Sequence, residues 1–440
     1  MHQSIAKNSI LTFATRLLMS LVLGINGLLL ARFLGPMGRG QYALIVLVPA
    51  VAALIFNFGL STSNAYFMSS GAIAFSKIFG FVILYVPGVG IIGILLTNLF
   101  ASIYLKFYPD VPIGLFRLGS FGIFSVILFT NMLSLFQGQS DFKRFNLINA
   151  LNPFLFLISF SLGAIFLKAK LLGAVISYLI GFSVSGLAGF LFLRKQITPV
   201  FKISLQDLRQ MFRYSSRVAV AEIVTFLNYR FDMFLVGYFL GAKAVGFYAV
   251  AVLVAETLWY LSSSVGTVLL PTFGRMSSDE RLAVLTRVLR HIFWISVFMI
   301  AILFLFDSSL IKIVFGSKFM PSVRALRGLY LGVIALSVGK IISSYILSLG
   351  KSPVTMRIAL AGFGLNLALN LWWIPRIGIL GAALASTAAY SLMLILDVYW
   401  LWQNRHPRFV DLLVPQIDDF KFYLRLIQKG WVQIADRSRN

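Results

Sequence analysis

The sequence predicts an all-α integral membrane protein of about twelve transmembrane helices, arranged as two pseudo-symmetric six-helix lobes around a central cavity. Three observations predict this fold: an apolar composition, a succession of long apolar stretches, and a repeat between the two halves of the chain. Of the 440 residues, 59% are hydrophobic and only 12% are charged, about half the charged share of a typical soluble domain. Such a chain cannot cover its surface with polar groups, so its natural solvent is the lipid bilayer.

Twelve apolar stretches have the length needed to cross a membrane. A helix needs about 20 mostly apolar residues to span the hydrocarbon core. The first six predicted spans are 10–34, 41–67, 78–105, 112–137, 145–167 and 171–193, and the second six are 214–240, 245–270, 286–306, 323–349, 354–374 and 378–402. The first stretch is too long for a signal-peptide core and lacks a convincing cleavage site, so we expect a retained first helix.

Polar segments divide these spans into two groups and end the chain. The predicted organisation is an N-terminal six-helix lobe at 1–193, a basic cytoplasmic linker at 194–213, a C-terminal six-helix lobe at 214–402 and a cytoplasmic tail at 403–440.

The distribution of basic residues predicts that both termini are cytoplasmic. In that orientation, 24 of the 38 Lys and Arg lie in cytoplasmic segments, 12 lie in outer segments, and Arg230 and Lys340 lie within spans. This bias matches the enrichment of Lys and Arg in cytoplasmic loops. We therefore interpret the net charge of +24 as mostly topological, and expect no nucleic-acid partner.

The two halves share short motifs in the same order. The stretch 34–43 matches the stretch 240–249 at an offset of 206, with Leu, Gly, Gly, Tyr and Ala in common. Weaker matches pair 172–174 with 380–382 and 138–140 with 350–352. These matches predict a duplicated six-helix unit whose copies insert in the same orientation. In transporters with parallel repeats, the substrate site usually lies at the repeat interface near the membrane midplane. The shared glycines are expected to serve tight turns or close helix approach.

Several ionisable residues lie within the predicted spans, where a charge is costly and is a functional candidate by default. They are Glu222, Arg230, Asp232, Glu256 and Lys340, with Arg16 and Asp397 nearer the inner ends of the first and twelfth spans. Two interpretations remain open for them: contacts to a substrate or coupling ion, and internal salt bridges such as Arg230 with Glu222 or Lys340 with Glu256.

Helix geometry separates Arg230 from Asp232. Two residues apart on a regular helix, their side chains diverge by about 200°, so one is expected to face the cavity and the other a neighbouring helix. Asn26 aligns with Asp232 at the repeat offset of 206. We therefore expect Asn26 and Asp232 to face equivalent directions in the two lobes.

The residues that catalysis or metal binding would need do not form a recognisable pattern. The chain has no Cys and only three scattered His, which excludes disulfides and Cys-ligated metals. A nucleotide-binding P-loop and a His-Glu-x-x-His zinc motif are both missing. The sequence therefore predicts that the protein is not an enzyme and has no metal site, no catalytic residues and no cofactor.

These motifs together resemble a known family. The segments 6–9, 31–36 and 38–42, Arg230-Phe231-Asp232-Met233, and 374–383 are similar to polysaccharide-biosynthesis flippases of the Wzx type. Those proteins belong to the multidrug/oligosaccharidyl-lipid/polysaccharide exporter superfamily. The resemblance covers essentially the whole chain.

The resemblance implies alternating access by two six-helix lobes in the cytoplasmic membrane. It implies a substrate, a polyisoprenyl-pyrophosphate-linked oligosaccharide for O-antigen, exopolysaccharide or a similar polymer, and partner proteins of polysaccharide assembly. Arg suits phosphate through its planar donor fork and Lys as a point charge. The predicted substrate-binding residues are therefore Arg230, Lys340, Arg16 and Asn26. The candidates for coupling to H⁺ or Na⁺ are Glu222, Asp232 and Glu256.

Two other functions remain open at this point. Cation-coupled multidrug export, as in another branch of the superfamily, needs an acidic or aromatic cavity, and the chain has buried acids to supply one. A membrane-embedded glycosyl or phosphoglycosyl transferase is a less favoured alternative, since the sequence shows no site for its chemistry.

Overall fold

The computed structural model describes residues 2–273, 276–405 and 414. The side chains of residues 2–14, 16, 17, 260, 261, 267, 268, 270–272, 278 and 279 lie outside this description. The described residues form thirteen α-helices: α1 (His2–Asn57), α2 (Leu60–Ser69), α3 (Phe75–Leu99), α4 (Ala101–Phe107), α5 (Ile113–Ser120), α6 (Gly122–Gly138), α7 (Phe142–Ile165), α8 (Lys170–Arg194), α9 (Leu205–Phe273), α10 (Ser278–Leu310), α11 (Ser322–Ser348), α12 (Ser352–Ile377) and α13 (Ile379–Arg405). A π-helical turn (Ile311–Phe315) extends α10.

Ten helical stretches of the described chain are long and apolar enough to cross a membrane, and two of them contain two crossings each. Leu18–Asn57 has 40 residues and Leu205–Trp259 has 55, whereas about 20 are enough to span the hydrocarbon core. The helical backbone is broken in α1 at Gly35 (φ 65°, ψ −179°) and in α9 at Gly241 (φ 79°, ψ 174°). The predicted total of twelve crossings is therefore confirmed.

We name the four resulting segments α1a (2–34), α1b (36–57), α9a (205–240) and α9b (242–273). The chain turns back at Gly35, because Phe33 before the break packs on Phe160 of α7 and Tyr42 after it packs on Phe156 of the same helix. A positive φ is accessible to glycine at little cost, which lets one residue reverse the chain.

The other predicted spans match the helices, with three internal breaks that the hydropathy pattern did not reveal. The stretch 41–67 divides into α1b and α2 at Phe58 and Gly59, which have positive φ. The stretch 78–105 divides into α3 and α4, and 112–137 into α5 and α6. The prediction of a polar linker over 194–213 was wrong in its second part. The helix α9 begins at Leu205, after Ser204, whose Oγ accepts from the Asp207 amide at 3.0 Å.

The two breaks meet at one end of the molecule, which we call the closed end. A Cβ placed on Gly40 would lie 1.6 Å from the Ala242 carbonyl oxygen, and one placed on Gly246 would lie 1.9 Å from that of Pro36. The backbones therefore touch without room for any side chain. Pro36 and Ala242, like Gly40 and Gly246, are 206 residues apart, so the same contact is made twice about a pseudo-two-fold axis.

Side chains that cap helix ends across the lobes reinforce the closed end. The Asp110 carboxylate accepts from the Ala242 amide at 2.9 Å, at the N-terminus of α9b. The Arg32 guanidinium donates to the carbonyls of Ile313 and Val314 in the π-helical turn after α10. An anion at a helix N-terminus and a cation at a C-terminus both complement the helix dipole.

A second pair of contacts repeats inside the lobes. The Asn26 amide donates to the Pro153 carbonyl at 3.0 Å, joining α1a to α7. The Asn228 amide donates to the Ala359 carbonyl at 3.0 Å, joining α9a to α12. In each lobe, the first crossing is thus bonded to the fifth.

At the opposite end, which carries the connection 195–204 and which we call the linker end, the lobes also touch, since a Cβ placed on Gly59 would lie 2.6 Å from the Ser215 carbonyl oxygen. They meet there where α2 lies beside α9a: Thr62 donates to Glu222 at 2.8 Å, and the Tyr66 and Tyr214 rings stack at 4.6 Å. Between α1b and α9a lies a cavity of about 820 Å³, which we call the vestibule.

A single methyl group should disturb the closed end. We expect Gly40→Ala and Gly246→Ala each to lower the free energy of unfolding by about 1–3 kcal/mol, because the added Cβ forces the two backbones apart. Thermal unfolding in detergent would measure this. Gly24→Ala is the matched control, since nothing lies within 4 Å of its Cβ position. Equal effects at all three glycines would contradict the close contact.

Candidate functional site

The predicted charged residues of the spans meet where α9a and α9b face each other. The Arg230 guanidinium pairs with the Glu256 carboxylate at 2.8 Å, and their side chains are 31% and 12% exposed. Arg230 does not pair with Glu222, and Lys340 does not pair with Glu256. Both ion pairs considered from the sequence were therefore wrong. Glu222 is two helical turns from Arg230 and bonds instead to Thr62 of the other lobe.

Lys340 approaches the same cluster from α11. Its ammonium donates to the Ser263 hydroxyl at 2.7 Å and lies 4.4 Å from the centroid of the Trp259 ring and 5.5 Å from that of Tyr229. Within the described part of the chain, Lys340 forms no ion pair, although Glu256 is within electrostatic range. Aromatic faces and one hydroxyl therefore hold this cation in place of a carboxylate.

Arg39 is a third cation of the cluster. The predicted spans 10–34 and 41–67 place it in the outer connection between them. Arg39 follows the Gly35 break in α1b, and its guanidinium lies 5.8 Å from the Tyr42 ring centroid, within electrostatic range of Arg230 and Glu256. Its Nε is buried and has no hydrogen-bond partner. Arg39, Arg230 and Lys340 thus lie around Glu256, and Asp232 is a second carboxylate within electrostatic range of Arg230. With three cations and two carboxylates, the cluster is net positive.

The vestibule leads from the linker end toward this cluster. It is lined by one face of α9a from Tyr214 to Tyr229, by Leu54 of α1b and by Ser352 of α12. Tyr229 lies at its inner limit and also lies beneath the Lys340 ammonium. Beyond the cluster, the glycine contact seals the closed end. A molecule entering from the linker end would therefore meet Lys340 before it met Arg39.

Asp232 and Arg230 bond to different side chains of the same helix, α9b: Asp232 to Tyr248 and Arg230 to Glu256. They remain within electrostatic range of each other, so the expectation that one faces the cavity and the other a neighbouring helix is not met. Asp232 is buried and accepts from the Tyr248 hydroxyl of α9b, the Ser386 hydroxyl of α13 and the Met233 amide. A chain of side-chain bonds continues from Ser386 to Asn366 and Asn370 of α12. Asp232 forms no ion pair with any described residue. A cavity of about 20 Å³ beside it has room for about one water-sized species.

The remaining predicted site residues lie apart from the cation cluster. Asn26 is buried between α1a and α7 with its amide bonded to Pro153. Glu222 lines the vestibule. Asp397 is buried in the C-terminal lobe, where Ser343 donates to it at 3.4 Å. The side chain of Arg16 lies outside the described residues.

The aromatic and hydroxyl groups of the site were not predicted from the sequence. Tyr229, Trp259, Tyr248, Ser263 and Ser386 have the residue types that any transmembrane helix carries. One signal was available, because Tyr229, Trp259 and Ser263 lie within eight residues of the intramembrane charges Arg230 and Glu256. Among the described residues, no group of three or more His, Cys, Asp or Glu could hold a metal ion.

Comparison with known proteins gives a family and a fold. A family model described as polysaccharide biosynthesis protein matches residues 29–324. The putative O-antigen transporter of Shigella flexneri is 25% identical over 410 residues, which cover 85% of this chain and 91% of that protein. The probable low-salt glycan biosynthesis flippase Agl15 of Haloferax volcanii is 27% identical over 213 residues, covering 48% of this chain and 45% of the relative. The chain spans about half the length of two of the curated relatives that it matches.

The fold is shared with solved membrane proteins. The inward closed conformation of the lipid II flippase MurJ superposes with a TM-score of 0.74 at 16% identity, covering 90% of this chain and 87% of that chain. An inward-facing multidrug resistance MATE transporter superposes with a TM-score of 0.70 at 15% identity, covering 89% and 97%. At such low identity, these similarities establish the two-lobed twelve-helix fold alone.

The Arg230–Glu256 pair should show strong energetic coupling. We expect a double-mutant cycle with Arg230→Met and Glu256→Leu to give a coupling of about 1 kcal/mol or more, since either single change leaves a half-buried charge unpaired. Unfolding in mixed detergent micelles would measure it. The more exposed Arg144–Asp141 pair, also at 2.8 Å, is the control and should couple by less than about 0.5 kcal/mol. Similar coupling in both pairs would contradict this prediction.

Proposed function

Because this chain belongs to the polysaccharide biosynthesis protein family, we propose that it is a flippase for polyisoprenyl-pyrophosphate-linked oligosaccharide. The substrate would move from the cytoplasmic to the outer leaflet of the cytoplasmic membrane. The observation that carries the proposal is the excess of cations around Glu256, where Arg39, Arg230 and Lys340 gather beside Tyr229, the innermost residue that lines the vestibule.

A pyrophosphate group explains why a protein would keep these cations inside a membrane. Each ionisable group within a span costs free energy, so an excess of positive charge there needs an anion to complement it. Among the described residues, Lys340 bonds to the Ser263 hydroxyl and to no carboxylate, and the Arg39 Nε is buried without a partner. Phosphate oxygens would satisfy both, and they would compete with Glu256 for the donor fork of Arg230.

The cations are spaced along the path of transport. At about 1.5 Å per residue, Lys340 lies about 12 Å along α11 from its linker-end terminus at Ser348, and Arg230 lies about 16 Å along α9a from Gly241. Arg39 is nearest the closed end. An anion entering from the linker end would pass from Lys340 to Arg230 and then to Arg39. A cation would therefore compensate its charge at each stage of the crossing.

Alternating access follows if the linker end is cytoplasmic, as the basic residues predict. The vestibule then opens to the cytoplasm, while the glycine contact closes the outer side. Release of the substrate to the outer leaflet would require the two lobes to separate at Gly40 and Gly246 and to close around the vestibule. The isoprenoid tail stays in the bilayer, and the sugars occupy the vestibule with water and polar side chains.

Two rival functions fit less well. Multidrug MATE transporters share the fold, but a cationic drug would be repelled by a cluster of three cations and two carboxylates. A glycosyl transferase is disfavoured by what the relatives are named. Matched relatives are named as transporters or flippases.

We extend the proposal to the coupling ion and assign it to Asp232. Of the three predicted acids, Glu256 is neutralised by Arg230 and Glu222 bonds to Thr62. Asp232 accepts from the hydroxyls of Tyr248 and Ser386 and forms no ion pair with a described residue. The cavity of about 20 Å³ that it lines together with Glu256 lies beside it. Oxygen ligands around a carboxylate suit Na⁺, and protonation of the carboxylate would serve H⁺ equally.

The cations should be required for transport of a pyrophosphate lipid. In proteoliposomes, we expect Arg39→Gln, Arg230→Gln and Lys340→Gln each to slow transbilayer movement of a polyprenyl-pyrophosphate oligosaccharide by about tenfold to a hundredfold. This range corresponds to the loss of one charge-assisted hydrogen bond of about 1.5–3 kcal/mol. Fluorescent labelling of the outer sugars at timed intervals would measure the rate.

Exposed cations supply the matched controls for this experiment. Arg324→Gln, on the same helix as Lys340, and Lys312→Gln remove charges that face outward and should leave the rate within about twofold. The proposal is wrong if the wild type moves no pyrophosphate lipid but takes up a hydrophobic cation. In that case, the acids would be the substrate site.

Asp232 should control ion dependence separately from substrate recognition. We expect Asp232→Asn to abolish the dependence of transport on pH and Na⁺ gradients while leaving binding of the pyrophosphate lipid unchanged, because Asp232 is bonded to Tyr248 and Ser386 and to none of the three cations. Asp207→Asn, near the linker end, is the control. An unaltered gradient dependence in Asp232→Asn would remove Asp232 from the coupling mechanism.

A further inference from the structure

Three aromatic rings form one wall beside the Lys340 ammonium. The centroids of Tyr229 and Trp259 are 5.3 Å apart, and that of Tyr390 lies 6.3 Å from Tyr229 and 6.5 Å from Trp259. The rings come from α9a, α9b and α13, so three crossings of the C-terminal lobe are needed to assemble them. We call Tyr229, Trp259 and Tyr390 the aromatic wall.

The wall is only partly covered by protein. Tyr390 is buried at 6% exposure, whereas Tyr229 and Trp259 are half-buried. Tyr229 lines the vestibule, which places this part of the wall against a space wide enough for a ligand. Aromatic side chains commonly line ligand cavities and present their faces to the bound molecule.

Lys340 covers the face of Trp259 in the absence of a ligand. Its ammonium is held by that ring and by the Ser263 hydroxyl, and no described carboxylate bonds to it. Both contacts are weaker than a contact to phosphate, because a doubly charged oxygen group attracts an ammonium more strongly than a ring quadrupole does. A phosphate bound nearby would draw Lys340 away and leave the Trp259 face free.

We propose that Trp259 and Tyr229 form a stacking platform for the sugar directly attached to the pyrophosphate. This inference rests on the proposed function and adds a specificity site to it. In the substrate, the pyrophosphate is bonded to the anomeric carbon of the first sugar. A phosphate at Lys340 therefore brings that ring within a few ångströms of the ammonium, which is where Trp259 lies, with its centroid 4.4 Å away.

The chemistry of a pyranose ring fits such a platform. Its axial C–H groups form an apolar face that stacks on an aromatic ring, while its hydroxyls point outward. The Glu256 carboxylate lies on the same helix as Trp259, within about one turn of it, and can accept hydrogen bonds from those hydroxyls. A sugar with an axial hydroxyl on the stacking face would not fit.

The platform predicts an uneven specificity along the oligosaccharide. The first sugar is recognised by ring shape at the wall, whereas later sugars extend into the vestibule of about 820 Å³ and are tolerated more broadly. A flippase built in this way distinguishes repeat units mainly by the sugar that was joined first to the lipid.

Two lipid probes test the platform: polyprenyl pyrophosphate without sugar, and the same lipid carrying one hexose. Binding of each to the full-length protein in detergent is measured by competition with a fluorescent polyprenyl pyrophosphate. We expect Trp259→Leu to weaken binding of the glycosylated probe about tenfold and to leave the sugar-free probe within about twofold. Trp259→Phe, which keeps an aromatic face, should restore most of the affinity for the glycosylated probe.

Further variants separate the platform from the flippase proposal. Lys340→Gln should weaken both probes, and Trp372→Leu, an exposed tryptophan of α12, should weaken neither. If Trp259→Leu affects both probes equally or neither of them while Lys340→Gln still weakens both, the platform is wrong and the flippase stands. If the wild type binds neither probe, the proposed function fails and the platform fails with it.

Discussion

The contact between Gly40 and Gly246 is the constraint on which the rest of the structure depends. Two helix starts touch backbone to backbone, with the carbonyls of Pro36 and Ala242 at the positions that side chains would occupy. This contact fixes where each lobe's first and second crossings meet, and it seals one end of the molecule. Because the seal consists of backbone, it has no side chain that could be repacked gradually. The lobes are therefore either together or apart at this point, which is the discrete behaviour that alternating access needs.

A second constraint is electrostatic and acts at the middle of the membrane. Isolated charges there are unstable, and the protein meets this cost in three different ways. Arg230 is paired with Glu256, Lys340 is held by aromatic faces and a hydroxyl, and Asp232 is enclosed by donors from Tyr248 and Ser386. These solutions differ in how readily a ligand can replace them. Tyr229, which lies beneath the Lys340 ammonium, lines the vestibule, whereas Asp232 lies beside a cavity of about 20 Å³ that suits a small ion.

Most of the fold could be predicted from the sequence because hydrophobic length and an internal repeat are direct physical signals. The twelve crossings and the role of Gly35 and Gly241 as turns both follow from one-dimensional patterns. The partner of each charge could not be predicted, since Glu222 and Glu256 were equally compatible with Arg230 along the helix. Arg39 was missed for a related reason: its backbone lies near the membrane surface, and only the packing of α1b against α9 turns its side chain inward. Aromatic residues are so common in transmembrane helices that Trp259 carried no signal until the structure placed Lys340 on its face.

The two-fold contact at the closed end also bears on how the two halves of the chain arose. A surface that binds its own copy about a two-fold axis is the interface of a homodimer, so the geometry corresponds to two identical six-helix proteins that a linker later joined into one chain. In such a dimer, every intramembrane charge would occur twice about the axis. At the repeat offset of 206, the counterpart of Arg230 is Gly24, and the counterpart of Asp232 is the uncharged Asn26. Most of the intramembrane charges therefore lie in the C-terminal half, and the N-terminal half contributes Arg39, whose counterpart at the same offset is Val245.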